Sequence, residues 1–354
     1  MFGRSGQPFV KGDVVKVLFN ASRAVRAMAV CAMIAGGMSG AQAADKVVMK
    51  LGHTLAPNNH YQLMALKFSQ EVAKRTNGKF DIQVFPQSQL GGEVQMGQAL
   101  RTGTQELMLS AQAPIDNVIK QWQIFDLPYL FDSVDQANGV LQGPVGQRFL
   151  DMMPKVGMVG LGWISVGERD VFTAKKPINS LADMKDLKVR VMQSPGYIAG
   201  YKALGANPTP LPYSQVFLAL SQGLVDGADT SPEQFTQDKF SDVSKHFYIT
   251  HVNYLPVVLA ISKVTWNRLA PDEQKAFKES AAVAIQWDLG EYKREYAAAL
   301  EDMKKAGTQV TFTDTATWAA ATESARADLV ATIPDGKELY DAVQAAKKTV
   351  PASK

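Results

Sequence analysis

From residue 46 onward the chain alternates between two apolar periods, one near two residues and one near 3.6. Residues 46–52 (KVVMKLG) read as a strand. Residues 58–76 follow with Leu63, Leu66, Phe68 and Val72 near helical spacing, and Asn77-Gly78 supplies a C-cap. Residues 80–85 alternate as a second strand. Gly91-Gly92 opens a helix running to about Leu100, and residues 106–110 form a third strand. This β-α-β-α-β order predicts an α/β domain with helices packed on a sheet. Residues 121–131 (QWQIFDLPYLF) are dense in aromatics, and Pro128 argues against a helix interior there. Short helices are expected near 133–141 and 145–153, then a Gly-punctuated strand over 155–166.

A second block begins after this. Residues 187–192 (LKVRVM) read as a strand with Leu187, Val189 and Val191 on one face and Lys188, Arg190 and Met192 on the other. Helices are predicted at 195–204, capped by Gly205, and at 213–222, capped by Gly223; a short strand is expected at 224–228 and another at 260–264. Residues 271–306 contain no internal proline after Pro271 and only Gly290, so they read as one helix about 54 Å long. That length exceeds a small domain and suggests a brace between two lobes, or a bend. A small strand at 308–312 and two helices end the chain.

The N-terminus follows neither period. It carries Arg4, Lys11, Lys16, Arg23 and Arg26 against one acid, Asp13, then the small apolar run AMAVCAMIAGGM over 27–38, then Ala41-Gln42-Ala43. This is the layout of a secretory signal peptide cleaved after Ala43. The apolar run is too short to span a bilayer, which takes about 20 residues. Cleavage changes the composition. The 354-residue chain has a formal charge of +3 and one cysteine. Without its first 43 residues the charge becomes −1 and Cys31 is gone. What remains has no basic surplus for nucleic acid, no thiol chemistry and no disulfide.

Catalytic motifs are missing as well. His53, His60, His246 and His251 have no metal-ligand spacing, so no metal is expected. There is no G-x-S-x-G elbow and no phosphate loop. Asp226 and Asp229 are three apart near a turn, a spacing that reads as structural. Two arginines stand out instead. Arg190 lies on a strand between two valines, and Arg169 lies between Glu168 and Asp170 where the first block passes into the second. A guanidinium offers a planar fork for a carboxylate. By local pattern alone, an arginine on a strand is more often solvated or paired with a structural acid, and Arg169 has acids on both sides.

At these residues the chain resembles the extracytoplasmic solute receptors of TRAP transporters, the DctP-type family. The matching segments, in order, are Phe85-Pro86-Gln87-Ser88-Gln89-Leu90-Gly91, Phe125-Asp126-Leu127-Pro128-Tyr129-Leu130-Phe131 and Pro177-Ile178-Asn179-Ser180-Leu181-Ala182-Asp183-Met184. They continue with Leu187-Lys188-Val189-Arg190-Val191, Ala203-Leu204-Gly205-Ala206-Asn207-Pro208-Thr209-Pro210, Tyr213-Ser214-Gln215-Val216-Phe217-Leu218-Ala219-Leu220 and Gly223-Leu224-Val225-Asp226-Gly227-Ala228. The resemblance implies a two-lobed α/β periplasmic-binding-protein fold with a central cleft. It also implies capture of an organic acid anion, a C4-dicarboxylate or related carboxylate, for delivery to TRAP membrane permease subunits.

By the same resemblance, Arg190 clamps the ligand carboxylate and Arg169 assists. Thr230 stands where the family commonly has asparagine, so the carboxylate geometry or the ligand class is expected to differ. Looser lining positions are His53, Thr54, Ala111, Gln112, Tyr213, Trp163 and Phe172. The expected organisation is a signal peptide over 1–43, lobe one over 44–167 plus about 256–295, and lobe two over 168–255 plus about 296–354. The expected protein is a monomer in the periplasm, with no cofactor, no nucleic-acid partner and no catalysis of its own. The alternatives are a receptor of an ABC importer and, further off, a periplasmic enzyme or sensory ligand-binding protein.

Overall fold

The structure, a computed structural model, describes residues 46–350. The signal sequence and its cleavage point lie outside them. Nine strands form one mixed sheet: β1 (Val47–Gly52), β2 (Phe80–Phe85), β3 (Leu107–Ala111), β4 (Met158–Thr173), β5 (Lys188–Val191), β6 (Asn207–Pro210), β7 (Gly227–Thr230), β8 (His246–Ser262) and β9 (Gln309–Phe312). The order is β2-β1-β3-β8-β4-β7-β5-β6, with β9 added to β8. Two strands are very long, β4 with 16 residues and β8 with 17. β3 pairs with the end of β8, Val257–Ile261, whereas β9 pairs with its start, His246–Ile249. β7 meets β4 only at its end, Asp170–Thr173, and pairs with β5 on its other side. The sheet therefore divides into two halves joined through β4 and β8, one half for each lobe.

Alternation along the strands supplies a core on each face of each half. Val257, Leu259 and Ile261 join one cluster with Leu107 and Leu109, while Val258 and Ala260 join another with Met108. In the second half Val171 faces the cluster of Val189 and Val191, and Phe172 faces that of Phe235 and Phe247. Helices cover these faces. The helix His60–Arg75 buries Tyr61, Met64, Ala65, Phe68 and Val72 along one stripe, and the Asn59 side chain caps its start by accepting from the Tyr61 N–H.

The strands predicted at 155–166 and 260–264 are thus fragments of longer ones. Glycines that read as strand ends are points of irregular register, with shifts between Gly160 and Gly162 and between Ile164 and Gly167. Gly162 has φ +152°, and a Cβ there would stand 2.4 Å from Ile285 Cδ1 of the long helix. The bulge lets that helix approach the sheet.

The long helix, Pro271–Lys305, is continuous. Its first half places Phe277, Ala281, Ala284 and Ile285 in the lobe-one core, and its far end places Met303 in the lobe-two core. It braces both lobes. In between, Asp288 binds His60 Nδ1 at 2.8 Å and accepts from the Ser165 N–H. The closing segment differs from expectation. Among the described residues there are three helices, not two; Thr315–Ala321 packs on lobe two through Trp318, and Glu323–Thr332 touches the helix Pro195–Ala203 there. Leu329 of the helix Glu323–Thr332, and Leu339 and Val343 of Gly336–Lys347, pack in one core with Trp122 and Phe149. Their apolar faces match the aromatic-rich segment of lobe one, so the chain end returns there.

Candidate ligand-binding site

The carboxyl ends of β1, β3, β5 and β7 point toward the line where the two halves meet, the usual place for a ligand in an open α/β sheet. Two small adjoining cavities lie there, of about 10 and 20 Å³, each holding little more than a water. Both are lined by Thr54, Glu93, Arg190, Met192 and Tyr213, and the second also by Ala111, Arg169 and Gln234. The lobes touch on either side. Asn59 Nδ2 donates to Gln237 Oε1 at 2.7 Å, and Asn117 Nδ2 donates to the Gln193 carbonyl at 3.2 Å.

The two arginines are employed differently. Arg169 is 2 % exposed and gives Nε and Nη2 to the Asp229 carboxylate at 3.2 and 2.9 Å. Burial opposes its charge, but Asp229 outweighs burial and raises its pKa. Arg190 is as deeply buried, yet has no carboxylate partner among the described residues. Its Nε and Nη2 both donate to the Leu211 carbonyl, at 3.0 and 2.7 Å. Nη1 has no hydrogen-bond partner among the described residues. Burial pushes the Arg190 pKa down to about 10, with Asp229 opposing the shift and Arg169 adding to it. It stays charged at neutral pH. Its guanidinium also lies 5.9 Å from the Tyr213 ring centroid.

Glu93 faces these arginines from lobe one, at the start of the helix Glu93–Thr102. Its Oε1 accepts from the Ala111 N–H at 2.9 Å. Burial raises its pKa, and the Ala111 bond and the two arginines oppose the rise. Tyr213 is oriented by donating its hydroxyl to Asp238. Thr230 does not line either cavity; its hydroxyl donates to Gln234 Oε1 at 2.7 Å, and Gln234 lines the site in its place.

Thr54, Ala111, Arg169, Arg190 and Tyr213 are therefore brought together. Besides Thr230, four expected positions are not. His53 Nε2 bonds Gln62 at 2.7 Å and its Nδ1 accepts from the Leu55 N–H, so its ring is turned into the lobe. Gln112 Nε2 donates to Asp126 at 2.6 Å. Phe172 is fully buried among Phe235, Phe240 and Phe247. Trp163 packs on Trp122 and Phe125 and borders a separate groove on the outside of lobe one. Glu93, Met192, Gln234 and Asp229 were not anticipated as parts of the site. Asp229 was noticed only beside Asp226, which instead accepts from the Lys188 N–H.

A two-lobed α/β receptor with an unpaired guanidinium edge in its cleft defines a solute-binding protein. Residues 51–332 match the family model of the bacterial extracellular solute-binding proteins, family 7 (DctP). The chain belongs to this family of TRAP-type periplasmic solute receptors. It is 30% identical over 280 residues to the C4-dicarboxylate-binding periplasmic protein DctP of Rhodobacter capsulatus, covering 78% of this chain and 84% of that one. A TRAP periplasmic solute-binding protein from a Polaromonas species, solved with D-erythronate, aligns with TM-score 0.83 and 33% identity, over 87% of this chain and 100% of that one. The sugar acid binding protein of Advenella mimigardefordensis, solved with galactonate, aligns with TM-score 0.84 and 28% identity, over 86% and 99%. Among the described residues no helix is long and apolar enough to cross a membrane.

Proposed function

We propose that this protein captures a hydroxylated monocarboxylate, of the aldonate or related sugar-acid class, and presents it to a TRAP permease from the periplasm. The observation that carries this reading is the Arg190 Nη1 edge, buried beside the cleft cavities without a partner. A buried donor left unpaired is costly, and a carboxylate oxygen answers it with a charge-assisted bond. Arg169 contributes less, because Asp229 already holds it in a bidentate pair. It sets the shape and the field behind Arg190.

Glu93 selects the rest of the ligand. A carboxylate on the opposite wall accepts bonds from hydroxyls and repels a second carboxylate. Galactonate and D-erythronate, bound in the similar structures, both have one carboxylate and several hydroxyls. A C4-dicarboxylate, the ligand named for the Rhodobacter relative, would bring its far charge toward Glu93. The ligand contacts both lobes only when they are together, so binding favours closure.

A thermal-shift comparison tests this. Galactonate and D-erythronate should raise the melting temperature of the mature protein, and succinate and malate should not. Ligand at about 100 times Kd stabilises by about 2.7 kcal/mol, well within detection. A rise with the dicarboxylates alone would overturn the assignment.

A further inference from the structure

Behind Arg169, on the other face of β4, three polar side chains converge that the carboxylate site does not use. Glu168 and Asp170 flank Arg169 in sequence, so strand alternation turns them away from it. They meet His251, which projects from an irregular stretch of β8. There the register jumps from Arg169↔Asn253 to Val171↔Tyr248, so residues 249–252 loop out of the ladder. The Asp170 Oδ1 atom pins this loop by accepting from the N–H groups of Thr250 and His251, both at 2.8 Å. His251 is held at φ +47°, uncommon for a residue other than glycine.

One ligand atom from each of the three lies within 4.8 Å of the others. The buried atoms Glu168 Oε2, Asp170 Oδ2 and His251 Nδ1 have no hydrogen-bond partner among the described residues. Asp170 is fully buried and Glu168 is 9 % exposed. His251 Nδ1 stands 3.4 Å from Glu168 Oε2 and 3.6 Å from Asp170 Oδ1. A charge-assisted hydrogen bond would draw such atoms to about 2.7–2.9 Å. Ligands at about 2.0–2.1 Å from a tetrahedral ion stand about 3.4 Å apart. The His251–Glu168 spacing is that of two ligands on one ion.

We propose that Glu168, Asp170 and His251 form a site for a divalent transition cation of the Zn²⁺ kind, at the crossing of β4 and β8 between the lobes. One imidazole nitrogen with two carboxylates suits such an ion more than a hard, all-oxygen cation. The His251 ring reaches solvent, its side chain 32 % exposed, while the three ligand atoms themselves are buried. The ion would fix the loop behind Arg169 and stiffen the hinge.

Calorimetric titration of the chelator-treated mature protein with Zn²⁺ at pH 7.5 tests the site. One Zn²⁺ per chain should bind, with Ca²⁺ much weaker. His251→Asn suits the positive φ and should lower the zinc affinity at least tenfold while the protein still melts cooperatively. Glu168→Gln, a second variant that keeps side-chain volume, should do the same. No zinc binding by the wild type would overturn the proposal and leave His251 as an ion pair with the two acids. Zinc affinity unchanged in both variants, or a preference for Ca²⁺, would overturn it equally.

Discussion

Arg190 is useful because its surroundings leave it unfinished. Two of its nitrogens are spent on one carbonyl, which fixes the guanidinium plane, and Nη1 remains. Arg190→Lys keeps the charge but loses the fork, and should weaken acid binding by about tenfold or more while the melting temperature of the free protein changes little; titration calorimetry reads this. Asp229→Ala should act on the fold instead. It leaves Arg169 as a buried unpaired charge, at a cost of about 3–5 kcal/mol in denaturant unfolding. His53 gives a pH signature. Burial, helped by His60 and opposed by Gln62, brings its pKa down to about 4 from the usual 6.5. The unfolded chain therefore binds the extra proton, and stability contributed by neutral His53 is lost as pH falls from about 6.5 to 4. His53→Gln should flatten the pH dependence of the melting temperature in that window.

The same residues show what was legible. Arg190 could be found from a strand motif, because its neighbours in sequence set its face. Glu93 could not, since only tertiary packing brings the start of its helix opposite β5. His53 was misjudged because adjacency to Thr54 does not fix a side-chain direction.

Among the elements, β4 and β8 set the architecture, and they were the least legible. Glycines interrupt the apolar pattern of β4, and irregular register breaks its pairing with β8 where the strands pass from one lobe to the other. The long helix was readable at nearly its full length, since Pro271 starts it and no other proline interrupts it. Its Gly290 gives a clean test. A Cβ there meets nothing within 4 Å. Gly290→Ala should therefore stabilise the protein by about 0.5–1 kcal/mol through the unfolded state and helix propensity, measured by denaturant unfolding. A loss of stability would mean that the helix needs that glycine to bend between the lobes. The closing helices show that an amphipathic pattern reveals a buried face but not its partner, since Leu329, Leu339 and Val343 share a core with Trp122 and Phe149.

At the scale of the molecule, the halves of one sheet are joined by two strands and braced by one helix, with the cleft charges facing each other across the division. Lobe one brings Glu93 and Thr54; lobe two brings Arg190 and Tyr213. Under the proposed function neither set completes the site alone, and a ligand that touches both would favour the lobes together. The central claim is that one guanidinium recognises the acid. The most direct measurement is calorimetric titration of the wild-type protein and Arg190→Ala with galactonate and D-erythronate, alongside the melting temperature of each free protein. The expected result is binding of at least one acid by the wild type and a loss of about 100-fold or more in the variant, with the fold intact. Equal affinity in the two proteins would contradict it.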